Sequence, residues 1–157
     1  MREKMKGTKY GIYLAKEYNP GSPENDVRPF YETVGMVEIG MTLEPSVESC
    51  DEEGLKEEEI IAEMKLRPRA TIGVLCVQTA SQKSGIGEAL LHKCEEVIVN
   101  TWDEKDIIVE VEPDNVAALG FFSKQGYTRN ADEMRNATVC RKRAMEERPH
   151  FILRKNF

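Results

Sequence analysis

Six consecutive residues, Gln82-Lys83-Ser84-Gly85-Ile86-Gly87, have the types and the spacing to bind an anion. They lie between an apolar run and the start of a helical pattern. The first turn of a helix carries backbone N–H groups without intrahelical partners, and the helix dipole makes that end positive. Gly85 and Gly87 have no Cβ, so the chain there can take positive φ values and a pyrophosphate can approach the main chain closely. Lys83 adds a point charge. Two glycines also serve simply to ease a tight strand-to-helix turn, and the pair alone does not choose between the two readings. The spacing does exclude other phosphate loops: it is not Gly-x-x-x-x-Gly-Lys-Ser/Thr, and it lacks the first glycine of the dinucleotide fingerprint. Further along, Glu110 within Ile107-Ile108-Val109-Glu110-Val111 is a carboxylate on a short strand. Its own pattern says no more than a half-exposed face, and Glu112 and Glu38 are comparable. Cys50, Cys76, Cys94 and Cys140 include no Cys-x-x-Cys pair, so neither a metal site nor a disulfide framework is expected.

To hold these residues, the sequence supplies strand, helix, strand and helix in turn. Residues 70–78 (ATIGVLCVQ) are apolar and rich in β-branched types, which predicts a strand buried on both faces, with Cys76 as a small apolar filler. Ile86, Leu90, Leu91, Cys94, Val97 and Ile98 recur at offsets of four and three, giving a helix to about Trp102 with one apolar stripe and with His92 off it. Residues 107–111 form the next strand, ended by Pro113-Asp114-Asn115. Asn115 is placed to cap a second helix, Val116 to Lys124, whose Ala118, Leu119, Phe121 and Phe122 pack inward before Gly126 stops it. Tyr127 then packs at the sheet edge. Upstream, residues 9–18 and 33–43 predict two more strands, the second bulged at a glycine. The acidic stretch 48–66 predicts a short solvated helix or loop. Residues 128–149, polar and carrying Arg141-Lys142-Arg143, predict a long connection, and 150–157 a final strand that His150 opens without an evident partner. The alternation implies right-handed crossovers against a sheet with a parallel portion, an α/β or mixed α+β layer fold.

A chain of 157 residues with 40% hydrophobic content suits one domain, residues 1–157. Its 22 basic and 28 acidic residues give a net charge of −6, which speaks against a nucleic-acid coat or an anionic membrane surface as partner. No run approaches the ~18 apolar residues of a membrane-spanning helix, and the charged start has no apolar h-region. An intracellular protein in a reducing compartment is expected.

Two spaced motifs carry a family resemblance. Gln82-x-x-Gly85-x-Gly87, preceded at a short distance by the strand ending Cys76-Val77, resembles the cofactor loop of the GNAT superfamily of N-acetyltransferases. Asn115-Val-Ala-Ala118-Leu-Gly-Phe121-Phe122-Ser-Lys124-Gln-Gly126-Tyr127 resembles that family's second motif. The stretches RPRATIGVLCV and VGMVEIG are similar to the plastid-type branch of plants and algae, which acetylates lysines and protein N-termini.

The resemblance implies a mixed central sheet that splays between strands 70–78 and 107–111, with helices on both faces. The family's usual N-terminal strand and two helices would be lacking. Acetyl-CoA would lie in the opening as co-substrate. Its pyrophosphate would meet Gln82, Lys83, Ser84, Gly85, Ile86 and Gly87, its pantetheine arm would meet the backbone of Leu75, Cys76 and Val77, and Asn115 and Phe122 would also face it. An N–H near Val77 would polarise the thioester carbonyl, and Glu110, placed where some relatives carry a base, would take a proton from the amine. Phe122 stands where many relatives have the tyrosine that protonates the departing thiolate. The implied reaction is direct acetyl transfer to a primary amine, a protein N-terminus or a lysine. The implied place is the cytoplasm or the plastid stroma. The alternative is a non-catalytic acyl-CoA-binding or interaction module.

Overall fold

A computed structural model describes residues 9–25, 28–45, 66–141 and 144–157. Among these residues, six strands and two α-helices follow one another as β1 (Gly11–Asn19), β2 (Phe30–Pro45), β3 (Leu66–Val77), α1 (Ile86–Asn100), β4 (Asp106–Val111), α2 (Val116–Lys124), β5 (Thr128–Arg141) and β6 (Ala144–Asn156). They form one sheet in the order β1-β2-β3-β4-β6-β5. Only β3 and β4 pair in parallel; the other neighbours are antiparallel. The mixed sheet is therefore the one the sequence predicts. Of the segment 48–66, only Leu66 is described, as the first residue of β3.

The β3–α1–β4 and β4–α2–β5 connections step in the same direction along the sheet. Right-handed crossovers in one direction leave both helices on one face. The packing agrees: Leu91, Cys94 and Ile98 of α1 and Phe122 of α2 share a single core with Ile107, Val109 and Val111 of β4. Among the described residues, α1 and α2 therefore share one face of the sheet. Leu91, Cys94 and Ile98 are fully buried, and each buried Leu or Ile side chain contributes roughly 1.5–3 kcal/mol. The helix docks closely because Gly35 of β2 faces it. A Cβ there would lie 3.1 Å from the Leu90 side chain and 3.2 Å from that of Ile86, so a larger residue would push α1 outward.

The C-terminal region differs from its sequence reading. Residues 128–141 and 144–149, expected as part of a long connection over 128–149, are the strand β5 and the first half of β6, paired antiparallel from Thr128↔Arg154 to Arg141↔Ala144. Hydrophobic periodicity could not reveal it, because β5 is an edge strand of the sheet and Met134 and Asn136 are solvent-exposed.

Candidate functional site

The parallel pairing of β3 with β4 covers only Ala70↔Ile107, Thr71↔Ile108 and Ile72↔Val109. Beyond Ile72 the β2–β3 register shifts between Glu38 and Ile39, which leaves Gly73 as the extra residue of a bulge. A bulge bends its strand and increases the local twist. Here it carries β3 away from β4, so residues 73–77 keep β2 on one side and face an opening on the other. The Gln78 amide donates to the Val34 carbonyl at 2.8 Å. Backbone groups alternate along an antiparallel strand, so those of Cys76 also point toward β2, while those of Leu75 and Val77 point into the opening. Of the three backbones assigned to the pantetheine arm, the geometry presents two. The expectation of a strand buried on both faces fails beyond Ile72 for the same reason. Gly73, Val74 and Cys76 are exposed, so Cys76 is no core filler.

A cavity of about 430 Å³ fills the opening. Ile72, Gly73 and Leu75 form one wall and Val109, Glu110 and Val111 the other; Asn115 at the start of α2, Ala118 and Phe122 within it and His150 of β6 close it. The cavity thus brings together Leu75, Glu110, Asn115 and Phe122. Asn115 caps α2 through its side-chain oxygen, which accepts from the Ala118 amide at 3.1 Å, so this side chain holds the helix start against the cavity. Phe122, 5% exposed, is held edge-on between Phe121 and Tyr127 at centroid distances of 5.2 and 5.3 Å. Glu110 accepts from Arg135 at 2.8 Å through Oε1, a partner that sequence reasoning missed with the strand that carries it.

The glycine loop lies beside this cavity. A Cβ on Gly87 would sit 3.7 Å from both Val77 and Phe121, which places the loop at the end of the open edge of β3. Lys83 (φ 61°) and Gly85 (φ 85°) are both left-handed, a backbone shape that turns amides into a concave anion-binding surface. The first intrahelical bond of α1 runs from the Ala89 amide to the Gly85 carbonyl, so the amides of Ile86, Gly87 and Glu88 lie ahead of it, and no side chain caps the helix. Gln82 donates to the Val77 carbonyl at 3.2 Å and Ser84 donates to the Ser81 carbonyl, so both side chains tie the loop down. Lys83 is exposed.

Behind the cavity, Glu95 is buried on α1 and its Oε1 accepts from the Tyr127 hydroxyl at 3.1 Å and from Lys155 at 2.8 Å. Tyr127 is thus a core residue with a polar partner, not simple edge packing. Burial, and next the Glu95 carboxylate, push its phenol pKa up. Burial also pushes the neighbouring Cys94 thiol up to about 12. Since the thiolate is the nucleophile, iodoacetamide at neutral pH should label Cys76 in the folded protein and reach Cys94 only on unfolding, as peptide mapping would read out. Equal labelling of both would contradict this packing. Among the described residues no group of His, Cys, Asp and Glu side chains is placed to hold a metal ion.

The acetyltransferase (GNAT) domain family matches residues 55–146, more than half of the chain. The chain belongs to this family. Solved GNAT-type structures share its fold at low identity. Arabidopsis thaliana NAA60 in complex with acetyl-CoA superposes with a TM-score of 0.63 at 13% identity, covering 96% of this chain and 77% of that one. Arabidopsis thaliana Naa50 in complex with the bisubstrate analogue CoA-Ac-MVNAL gives 0.52 at 20% identity, covering 82% and 70%. The KacTA–DNA complex gives 0.54 at 16%, covering 92% and 67%. No curated protein sequence matches this one. In this GNAT domain the cavity opens at the splay beside Gly73, and the uncapped start of α1 packs near Val77 at the end of the same strand.

Proposed function

We propose that this chain transfers the acetyl group of acetyl-CoA directly to a primary amine, a protein N-terminus or a lysine side chain. The observation that carries the reading is the free edge of β3. Leu75 presents its backbone N–H and C=O to a cavity that Glu110 and Phe122 also line, and Val77, two residues further along the same edge, turns its N–H the same way toward the uncapped start of α1. An extended pantetheine arm can add to such an edge as a strand would, a pyrophosphate suits the amides ahead of Ala89, and an edge N–H can polarise a thioester carbonyl. Two solved relatives in the fold comparison, NAA60 and Naa50, were captured with acetyl-CoA and with a CoA–peptide analogue. Glu112 and Asp114 line the cavity and, with the net charge of −6, favour a cationic acceptor. The exposed thiol of Cys76 suits a reducing compartment, the cytoplasm or the plastid stroma.

Calorimetry with acetyl-CoA, followed by thiol-release assays over peptides with free N-termini, lysine peptides and polyamines, tests the proposal. Binding with amine-dependent thiol release supports it. Binding without release from any acceptor supports the acyl-CoA-binding module instead. No binding sinks both.

A further inference from the structure

We propose that His150, rather than Glu110, takes the proton from the incoming ammonium group, through Nε2. This rests on the acetyltransferase reading above. His150 is only 6% exposed and lines the same cavity as Glu110, Leu75 and Phe122. Its Nδ1 lies 2.9 Å from the Arg148 carbonyl oxygen. A carbonyl can only accept, so Nδ1 carries the hydrogen. In the neutral ring Nε2 then holds the lone pair, and it is the ring nitrogen left for the cavity. Backbone contact thus fixes both tautomer and ring orientation, as a positioned base requires.

Glu110 is differently committed. Arg135 stands opposite His150 in the β5–β6 register, and from there its guanidinium crosses β6 to reach Glu110 at 2.8 Å. The ion pair occupies one carboxylate oxygen and neutralises the charge beside the imidazole. Among the described residues, Glu112 and Asp114 line the same cavity as His150, and Arg148, on its own strand, stands 4.0 Å from Glu112. In this arrangement Glu110 is a positioning residue, holding Arg135 across the strand that carries His150.

The balance is simple. The acceptor R–NH₃⁺ gives one proton to Nε2, and its nitrogen lone pair forms a C–N bond to the thioester carbon. Collapse breaks the C–S bond, the second proton from nitrogen ends on the CoA sulfur, and the imidazolium returns its proton to solvent. An ε-amine with an unperturbed pKa near ~10.4 depends on such a base more than an α-amine near ~7.8.

The test uses the full chain and the best acceptor of the amine panel, with three variants compared by kcat/KM against pH, acetyl-CoA affinity and melting temperature. His150→Asn keeps an N–H donor for the Arg148 carbonyl but offers no base. It should fold and bind acetyl-CoA as the parent does, lose about 10²-fold in kcat/KM, and lose the acid limb of the pH profile. His150→Gln should show the same loss. Glu110→Gln keeps an acceptor for Arg135 and should lose less than tenfold with the acid limb intact. The opposite pattern, an acid limb lost in Glu110→Gln and kept in His150→Asn, assigns the base to Glu110 and overturns the proposal, as does activity within threefold of the parent in His150→Asn. A parent that binds acetyl-CoA yet acetylates no amine in the panel is a different failure, that of the acetyltransferase reading, and the inference falls with it.

Discussion

Gly85→Asp should abolish acetyl-CoA binding at micromolar ligand while leaving the fold intact, a separation that few glycine substitutions achieve. A Cβ at Gly85 meets nothing within 4 Å, so no neighbour is displaced. The φ of 85° imposes the left-handed cost of roughly 1–2 kcal/mol on L-residues, at the lower end for aspartate, which visits this region occasionally. Aspartate is also a favoured N-cap, worth about 1 kcal/mol at a helix that has no side-chain cap, so the two effects nearly offset. Ligand binding has no such offset. The new carboxylate would compete for the amides of Ile86, Gly87 and Glu88 and repel a pyrophosphate at contact range. Losing charge-assisted hydrogen bonds at about 1.5–3 kcal/mol each corresponds to a 100-fold or greater rise in Kd. Calorimetry on Gly85→Asp beside Gly85→Ala separates charge from strain. Affinity unchanged in the aspartate variant would remove the pyrophosphate from this loop.

Glu95→Ala should be the most destabilising polar substitution in the described core. The Glu95 side chain is 9% exposed and serves two donors, Lys155 at 2.8 Å and the Tyr127 hydroxyl at 3.1 Å. Removing it leaves the buried hydroxyl unsatisfied at about 1–3 kcal/mol. Lys155 adds less, because its side chain is 21% exposed and can turn its ammonium to water. A net loss of about 2 kcal/mol corresponds to a fall of roughly 4–8 °C in melting temperature for a chain of this size. The alkaline side carries a second signature. Tyr127 has a raised pKa in the fold, so its contribution is complete below the unfolded phenol value near ~10 and declines as pH rises above it. Both effects are read by thermal melts of Glu95→Ala and Tyr127→Phe at pH 7 and pH 10.5. A Glu95→Ala melting temperature within 1 °C of the parent would show the network to be energetically idle.

The legible parts of this fold were those where one physical cause acts locally. The α1 stripe from Ile86 to Ile98, the Asn115 cap and the β4 run at 107–111 each follow from period, side-chain chemistry or composition within a few residues, and each stands where expected. The glycine loop was legible as an anion-binding shape, although its Gln82 and Ser84 side chains turn out to hold the loop itself. What escaped depends on partners far away in sequence. Glu95 reads as one more solvated helix glutamate until Lys155 and Tyr127 are seen against it. His150 gains its role from the Arg148 carbonyl and from a cavity made by three other elements. The bulge at Gly73 is invisible in ATIGVLCVQ because a run of apolar residues looks the same whether or not the strand leaves its neighbour at the third pair. The β5–β6 hairpin escaped because solvent-exposed strand residues carry no alternation, so its polar sequence reads as loop.

The brevity of the β3–β4 contact has a mechanical meaning. β1–β3 on one side and β4–β6 on the other are long antiparallel arrays, but they are sewn together in the sheet by three residue pairs, from Ala70↔Ile107 to Ile72↔Val109, with α1 as the outer brace. That seam is the shortest pairing in the sheet, and beyond it the facing edges of β3 and β4 no longer pair with each other. Any extended molecule that hydrogen-bonds to Leu75 and Val77 while packing on Val109 and Val111 continues the stitching. Occupancy of the cleft and the tensile strength of the domain are then the same variable, and a ligand on one lip is felt as stiffness on the other.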